Sequence, residues 1–267
     1  MSFLAGLKTA VQSAPNNTIE IKDTLGGGFT VIDTGLYPVT ITAAYLTQKD
    51  KSVRAHFEFK LEDNRKFNAS YTVLNDQGQH IYTNDKGEAK YLSGFVPANA
   101  ISYLALKGKN IFELATTKKT ISQRNFKTNT DEPVEAEELT DLIGKEVTLG
   151  LIREAKFKRS EVSPGVWEED TTAPQVRTVI HTVFHTGKLM TYAEAYNALR
   201  QQTTPEAKFI ETWKEKWKAG EVRDFTNGAY KNAENAANNS MANASPAAAA
   251  QASAAVAATV DTDNVFG

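Results

Sequence analysis

A few strings in this chain hold residue types that could do chemistry. Asp33 sits in VIDTG (Val31 to Gly35), the kind of turn in which an aspartic protease sets one carboxylate to share a proton with a second. Leu36 follows where Ser or Thr would accept a hydrogen bond, and there is no second DTG, so the plain reading is an Asp-Gly turn between strands. His181 and His185 in HTVFH have helical zinc-site spacing but lack the glutamate and lie in Val-rich strand sequence. In a strand, residues four apart lie about 13 Å from each other, too far to hold one ion unaided. Gly26 to Gly28 form a glycine run with no following Lys and Ser/Thr to cradle phosphate, and no GxSxG elbow is present. The expectation is no catalysis, no cofactor and no metal.

What remains is an interleaving of aromatic and basic residues in or beside strands. Tyr45, Arg54, His56, Lys60, Lys66, Tyr71, Tyr82, Lys86, Lys90, Tyr91, Lys107, Lys109, Arg153, Lys156, Phe157, Lys158 and Arg159 form this set. Single-stranded nucleic acid requires such a mixture, since bases stack on rings at about 1 to 3 kcal/mol each and phosphates follow cations. Aromatic residues in strands also serve as core. Tyr71 shares a face with Phe67 and Val73, which is a core pattern.

The elements that would position these residues are short strands. From Thr18 to about Lys188 the pattern is period-two and β-branched: IEIKD, FTVID, PVTITAAYL, VRAHFEFKL, KFNASYTVL, AISYLALKG, GKEVTLGLIREAKF and VRTVIHTVFH. In VRAHFEFKL, Val53, Ala55, Phe57, Phe59 and Leu61 share one face, while Arg54, His56, Glu58, Lys60 and Glu62 share the other. TLGGGF, DTGLYP, LNDQGQ and TNDKGE supply turn chemistry, and so many punctuated strands indicate a barrel or sandwich. After Thr191 the period changes. TYAEAYNALRQQ, and a stretch beginning at Pro205 and ending at Gly220, read as helices, with Phe209, Trp213 and Trp217 on one docking stripe.

Charge is best read by segment. The chain of 267 residues has a formal net charge of −2 and no cysteine, which excludes disulfides, thiol nucleophiles and cysteine-based zinc sites. The tail from 233 onward holds Glu234, Asp261 and Asp263 and no base, leaving a body with 30 basic and 29 acidic residues. Lys107 to Lys127 carries six basic residues against Glu113 and reads as a charged loop; Asp131 to Asp141 carries six acids and no base. The acidic run would repel phosphate and is expected to pair with the basic one when nucleic acid is absent. No apolar run is long enough to span a bilayer and the N-terminal apolar stretch is too short for a secretory signal, so the expected location is the cytoplasm. From Ala233 to Val260 the composition falls to Ala, Asn, Ser and Gln, a disordered tether that ends in DTDNVFG.

At these segments the chain resembles OB-fold single-stranded DNA-binding proteins of tailed bacteriophages. DTGLYPVTITAAYL (Asp33 to Leu46), YTNDKGEAKY (Tyr82 to Tyr91) followed by LSGFVPANAISYLAL, ELTDLIGKEVTLGLIREAKFKRSE (Glu138 to Glu161) and VFHTGKLMTYAEA (Val183 to Ala195) carry the resemblance. It implies a mainly β fold: an OB-type five-stranded barrel with extra strands and insertions over 1–190, a helical extension over 191–232, and a disordered tail over 233–267. It further implies sequence-independent binding of single-stranded DNA in viral replication, recombination and repair, in the host cell cytoplasm, without chemistry on the DNA. One groove wall is expected from Lys107 to Lys127 and another from Arg153 to Arg159. The tail tip, with Asp261, Asp263, Val265 and Phe266, looks like a dock for replication, recombination or transcription proteins. Its Val265 and terminal Gly267 depart from the usual proline and final phenylalanine. An annealing or recombination mediator and a viral assembly protein with no DNA affinity are the alternative readings; oligomeric state is open.

Overall fold

The computed structural model describes residues 31–232, apart from 126, 127 and 164, together with residue 235. The glycine run, the IEIKD strand, the tether and the tail tip lie outside the described residues. The chain divides into two units. Of the described residues, the first comprises those within 31–153 and 177–222, the second those within 154–176 and 223–235.

The fold is mainly β, built on a large antiparallel sheet. β1 (Gly35–Lys49), β2 (Ser52–Leu61) and β3 (Lys66–Leu74) form a meander. The alternation read in VRAHFEFKL holds along β2: Val53, Ala55, Phe57, Phe59 and Leu61 are buried, while Arg54 and Lys60 face solvent. The register of β1 on β2 shifts between Ile41 and Ala43. Thr42 is the extra residue, and its hydroxyl donates to the Glu58 carboxylate at 2.8 Å. A bulge bends its strand. Here the N-terminal half of β1 pairs with β8 (Glu146–Ser163), and Tyr45, Leu46 and Thr47 pair with β7 (Thr130–Leu139). β8 also pairs with β9 (Val166–Phe184) and with β10 (Val222–Asp224).

The sheet is open, which corrects the expected closed five-stranded barrel. Closure would require a strand on the far side of β3 from β2. Gly94 occupies that position instead: a Cβ built on it would meet the Thr72 carbonyl oxygen at 2.5 Å and the Thr72 nitrogen at 2.8 Å. A strand edge covered by a loop needs no further partner.

Three expected elements differ. AISYLALKG is not a strand; it lies mostly within helix α1 (Phe95–Ala105), whose Ala98, Ile101 and Leu104 are buried against the sheet. The basic and acidic runs are not loops: β6 (Thr116–Asn125) pairs with β7 in register, with Lys118 opposite Glu137 and Arg124 opposite Asp131. Val31 to Asp33, the described end of FTVID, is not a strand but is fastened to β9 through the Thr178 hydroxyl, which donates to Ile32 O at 2.8 Å and accepts from Ile32 N at 2.9 Å.

The expected helices are α2 (Tyr192–Gln201) and α3 (Phe209–Lys216), the latter starting later than the Pro205 signal. Trp213 docks with Ile210 against Ile152 and Phe184, and Trp217 joins this cluster from just beyond the helix end. The Glu194 carboxylate accepts from the backbone N–H of Thr191 at 2.8 Å and from those of Lys208 and Phe209 at 2.7 Å. Burial opposes its ionisation, but these donors outweigh it and hold the carboxyl below its usual range. Among the described residues no helix is long and apolar enough to cross a membrane.

Candidate nucleic-acid interface

Asp33 pairs with Arg153 at 3.4 Å, and the adjacent buried Thr34 hydroxyl donates to the Glu221 carbonyl and accepts from Arg153 N. The DTG string therefore anchors the chain locally. His181 Nδ1 accepts from Trp213 Nε1 at 3.2 Å, and no cluster of metal-ligating side chains occurs among the described residues.

The outer face of β1–β3 holds Arg54, His56, Lys60 and Lys66, with Lys60 directly opposite Lys66. Glu58 lies on the same face and pairs with Lys66 at 3.1 Å, which reduces its positive field. Tyr45 is on this face yet only 3% exposed, packed with Ile121 and Ala136 of the β6–β7 hairpin. Its ring stacks on His56 at 4.8 Å, nearly parallel, and His56 Nε2 lies 2.9 Å from the Thr47 hydroxyl. Burial, with Arg54 adding repulsion, brings the His56 pKa down to about 4. Tyr71 points inward against Phe57, and burial pushes its phenol up. Neither tyrosine presents a free ring face to a base.

Tyr82 and Tyr91 do. They lie on a two-stranded ribbon, β4 (Ile81–Thr83) and β5 (Ala89–Tyr91), and are 43% and 55% exposed. The Asn84 side chain closes its turn, accepting from Lys86 N and Glu88 N, with Gly87 at φ +78°. Tyr82 is opposite Lys90 and Tyr91 opposite Ile81, so the two tyrosines occupy opposite ribbon faces. Tyr91 continues into an aromatic group: His80 at 5.9 Å and Phe95 at 5.3 Å, with Phe112 5.4 Å beyond Phe95. Beside it Ser70, Tyr71 and Thr72 of β3 and Leu92, Ser93 and Gly94 line a pocket of about 360 Å³. Four of these six residues, Ser70, Tyr71, Thr72 and Ser93, carry a hydroxyl group. The ribbon carries Asp85 and Glu88 against Lys86 and Lys90, and Lys90 pairs with Glu88 at 3.1 Å, so its charge is balanced.

The expected walls are less available. Lys119 pairs with Glu138 at 2.7 Å and Arg124 with Asp131 at 3.4 Å, so β7 engages two of the three β6 cations, while Lys118 is exposed opposite Glu137. Lys109 reaches Asp141 at 3.4 Å, while Lys107 sits at φ +53° just after α1. In the second unit, Lys156 pairs with Glu154 at 3.1 Å and lies over the Phe225 ring, Arg159 approaches Glu169 at 3.8 Å, Phe157 is half-buried and Lys158 is exposed. Asp261, Asp263, Val265 and Phe266 lie outside the described residues.

Tyr103 at the end of α1, with Tyr192 and Tyr196 on α2, was absent from the sequence-based set. The i, i+4 spacing in YAEAY was the available signal, but Tyr103 read as part of a strand. The chain matches no family model, no curated protein and no solved structure.

Proposed function

We propose that this chain binds single-stranded DNA without sequence preference, as a coat for unpaired strands during the replication, recombination and repair of a bacterial virus in its host's cytoplasm. The single observation that carries this reading is the ribbon of Tyr82 and Tyr91, two exposed rings held on a structured hairpin beside a hydroxyl-lined pocket. Exposed tyrosines on a rigid support suit stacking, which tolerates every base because every base has a π face.

We read the sheet as an opened OB-type fold. What supports this is the order of a three-strand meander, a helix, and further strands that pair with a bulged first strand on its other edge. DNA binding involves no bond making, and the tail tip with Asp261, Asp263, Val265 and Phe266 recruits replication, recombination or transcription proteins.

Quenching of intrinsic Trp and Tyr fluorescence by oligo-dT tests the reading. Affinity is expected to fall with salt at a log–log slope of about −0.7 per neutralised phosphate. Indifference to unpaired DNA in dilute buffer would overturn it. Tyr91→Ala is expected to weaken binding of short oligo-dT by roughly 1 to 3 kcal/mol with the melting temperature unchanged. Unaltered affinity would remove Tyr91 from the interface.

A further inference from the structure

The α1–α2 seam carries three tyrosines that form a continuous ring cluster. Tyr103 meets Tyr192 edge-on at 5.0 Å and Tyr196 at 6.3 Å, and Tyr192 and Tyr196 lie 5.7 Å apart. An ordinary helix seam would bury its rings. Here Tyr196 stays 39% exposed and Leu199, one turn further along the same face, is exposed too. The Arg200 guanidinium lies over the Tyr196 ring at 5.8 Å. α2 contains one acid, Glu194, and its carboxylate is engaged by backbone N–H groups. The seam is tied at Asn99 of α1, whose side-chain oxygen accepts from Ile111 N at 3.0 Å and which also hydrogen-bonds the Tyr192 phenol. α1 links it to the ribbon: Tyr91 packs at 5.3 Å on Phe95, the first residue of that helix, and Tyr103 lies two turns further along it.

We infer that the tyrosine face of α1 and α2 is a second stacking surface for single-stranded DNA, continuing the path from Tyr91 over Tyr192 and Tyr103 to Tyr196, with Arg200 and Lys107 taking phosphates. This rests on the proposed function and deepens it. The ribbon offers rings but no surplus of positive charge, so a strand stacked there needs cations further along. Arg200 on Tyr196, and Lys107 one turn beyond Tyr103, provide positive charge where the rings continue.

The test uses the full chain and oligo-dT of ~4 and ~16 nucleotides, the range of site sizes for one such module. Tyr196→Ala combined with Arg200→Ala alters exposed side chains only. It is expected to leave the short oligonucleotide's affinity unchanged and to weaken the longer one by about fivefold to a hundredfold, the effect of one lost stack. In the wild type, photocrosslinking of 5-iodouracil placed along the longer strand is expected to mark peptides containing Tyr192 or Tyr196 as well as Tyr91. If the double variant binds the longer strand as tightly as wild type while Tyr91→Ala does not, the inference is overturned, the proposed function stands, and the face is left to a protein partner. If the wild type binds neither oligonucleotide, the proposed function fails and the inference with it.

Discussion

Gly94→Val is expected to destabilise the protein by about 3 kcal/mol or more, the upper range for forcing atoms into a filled site. The cause is not backbone freedom, since Gly94 has φ −81° and ψ −26°, which any residue adopts. It is proximity: the first added carbon would lie 2.5 Å from the Thr72 carbonyl oxygen and 2.8 Å from its nitrogen, and main-chain atoms cannot rotate away. Either β3 or the start of α1 must move. The pocket between Ser70–Thr72 and Leu92–Gly94 would open and the Tyr91 ribbon would lose its footing. For a body of this size the melting temperature should drop by roughly 6 to 12 °C. Gly87→Ala provides the contrast. Its Cβ meets nothing within 4 Å and only the positive φ opposes it, so the cost should be about 1 kcal/mol. Equal effects of the two substitutions would refute the close-approach account.

The second large effect is on pH. His56 has an ordinary pKa of 6.5 when the chain is unfolded and about 4 when folded, because burial and then Arg54 disfavour the charged ring. Between those values the unfolded chain binds more protons, so acid favours unfolding. The stabilisation from the neutral ring is complete above pH ~6.5 and is lost as the pH falls toward ~4, for a total of about 3 kcal/mol. His56→Phe keeps a ring over Tyr45 and cannot protonate. Urea unfolding of wild type should therefore show a steeper loss than the variant between about pH 7 and about pH 4.5. An imidazole NMR titration with its midpoint near the ordinary histidine value would refute the account. DNA affinity should change little over the upper part of this range, since the neutral His56 adds no cation to the outer face.

The strands were legible where side chains alternate strictly. In β2 every second residue is apolar, and the buried set matches that reading residue by residue. α1 was not legible, because FVPANAISYLA is an apolar stretch whose periodicity is weak, and its β-branched Val96 and Ile101 resemble strand. β6 and β7 were hidden by charge. Lys118 and Arg124 face acids directly across the ladder and Lys119 reaches Glu138 diagonally, so each run taken alone looks like a solvated loop. The pairing of the two runs was foreseen, though not as a hairpin. Tyr82 and Tyr91 were picked out only as part of the aromatic and basic interleaving; TNDKGE was read as a turn, but three-residue strands on either side of it are too short for period two to show. Tyr45 was misread because exposure depends on the hairpin that covers it, which only tertiary structure reveals.

Glu194 has an outcome for how the C-terminal helices behave. One side chain caps α2 at Thr191 and at the same time satisfies the amides that open α3. If the α2 start unravels, the Lys208 and Phe209 amides lose their acceptor, and if the α3 start unravels, Glu194 loses two of its donors, so the two openings are coupled. Tyr192 and Tyr196 both ride on α2, so a strand stacked on them as proposed would lose both rings together when that coupled opening occurs.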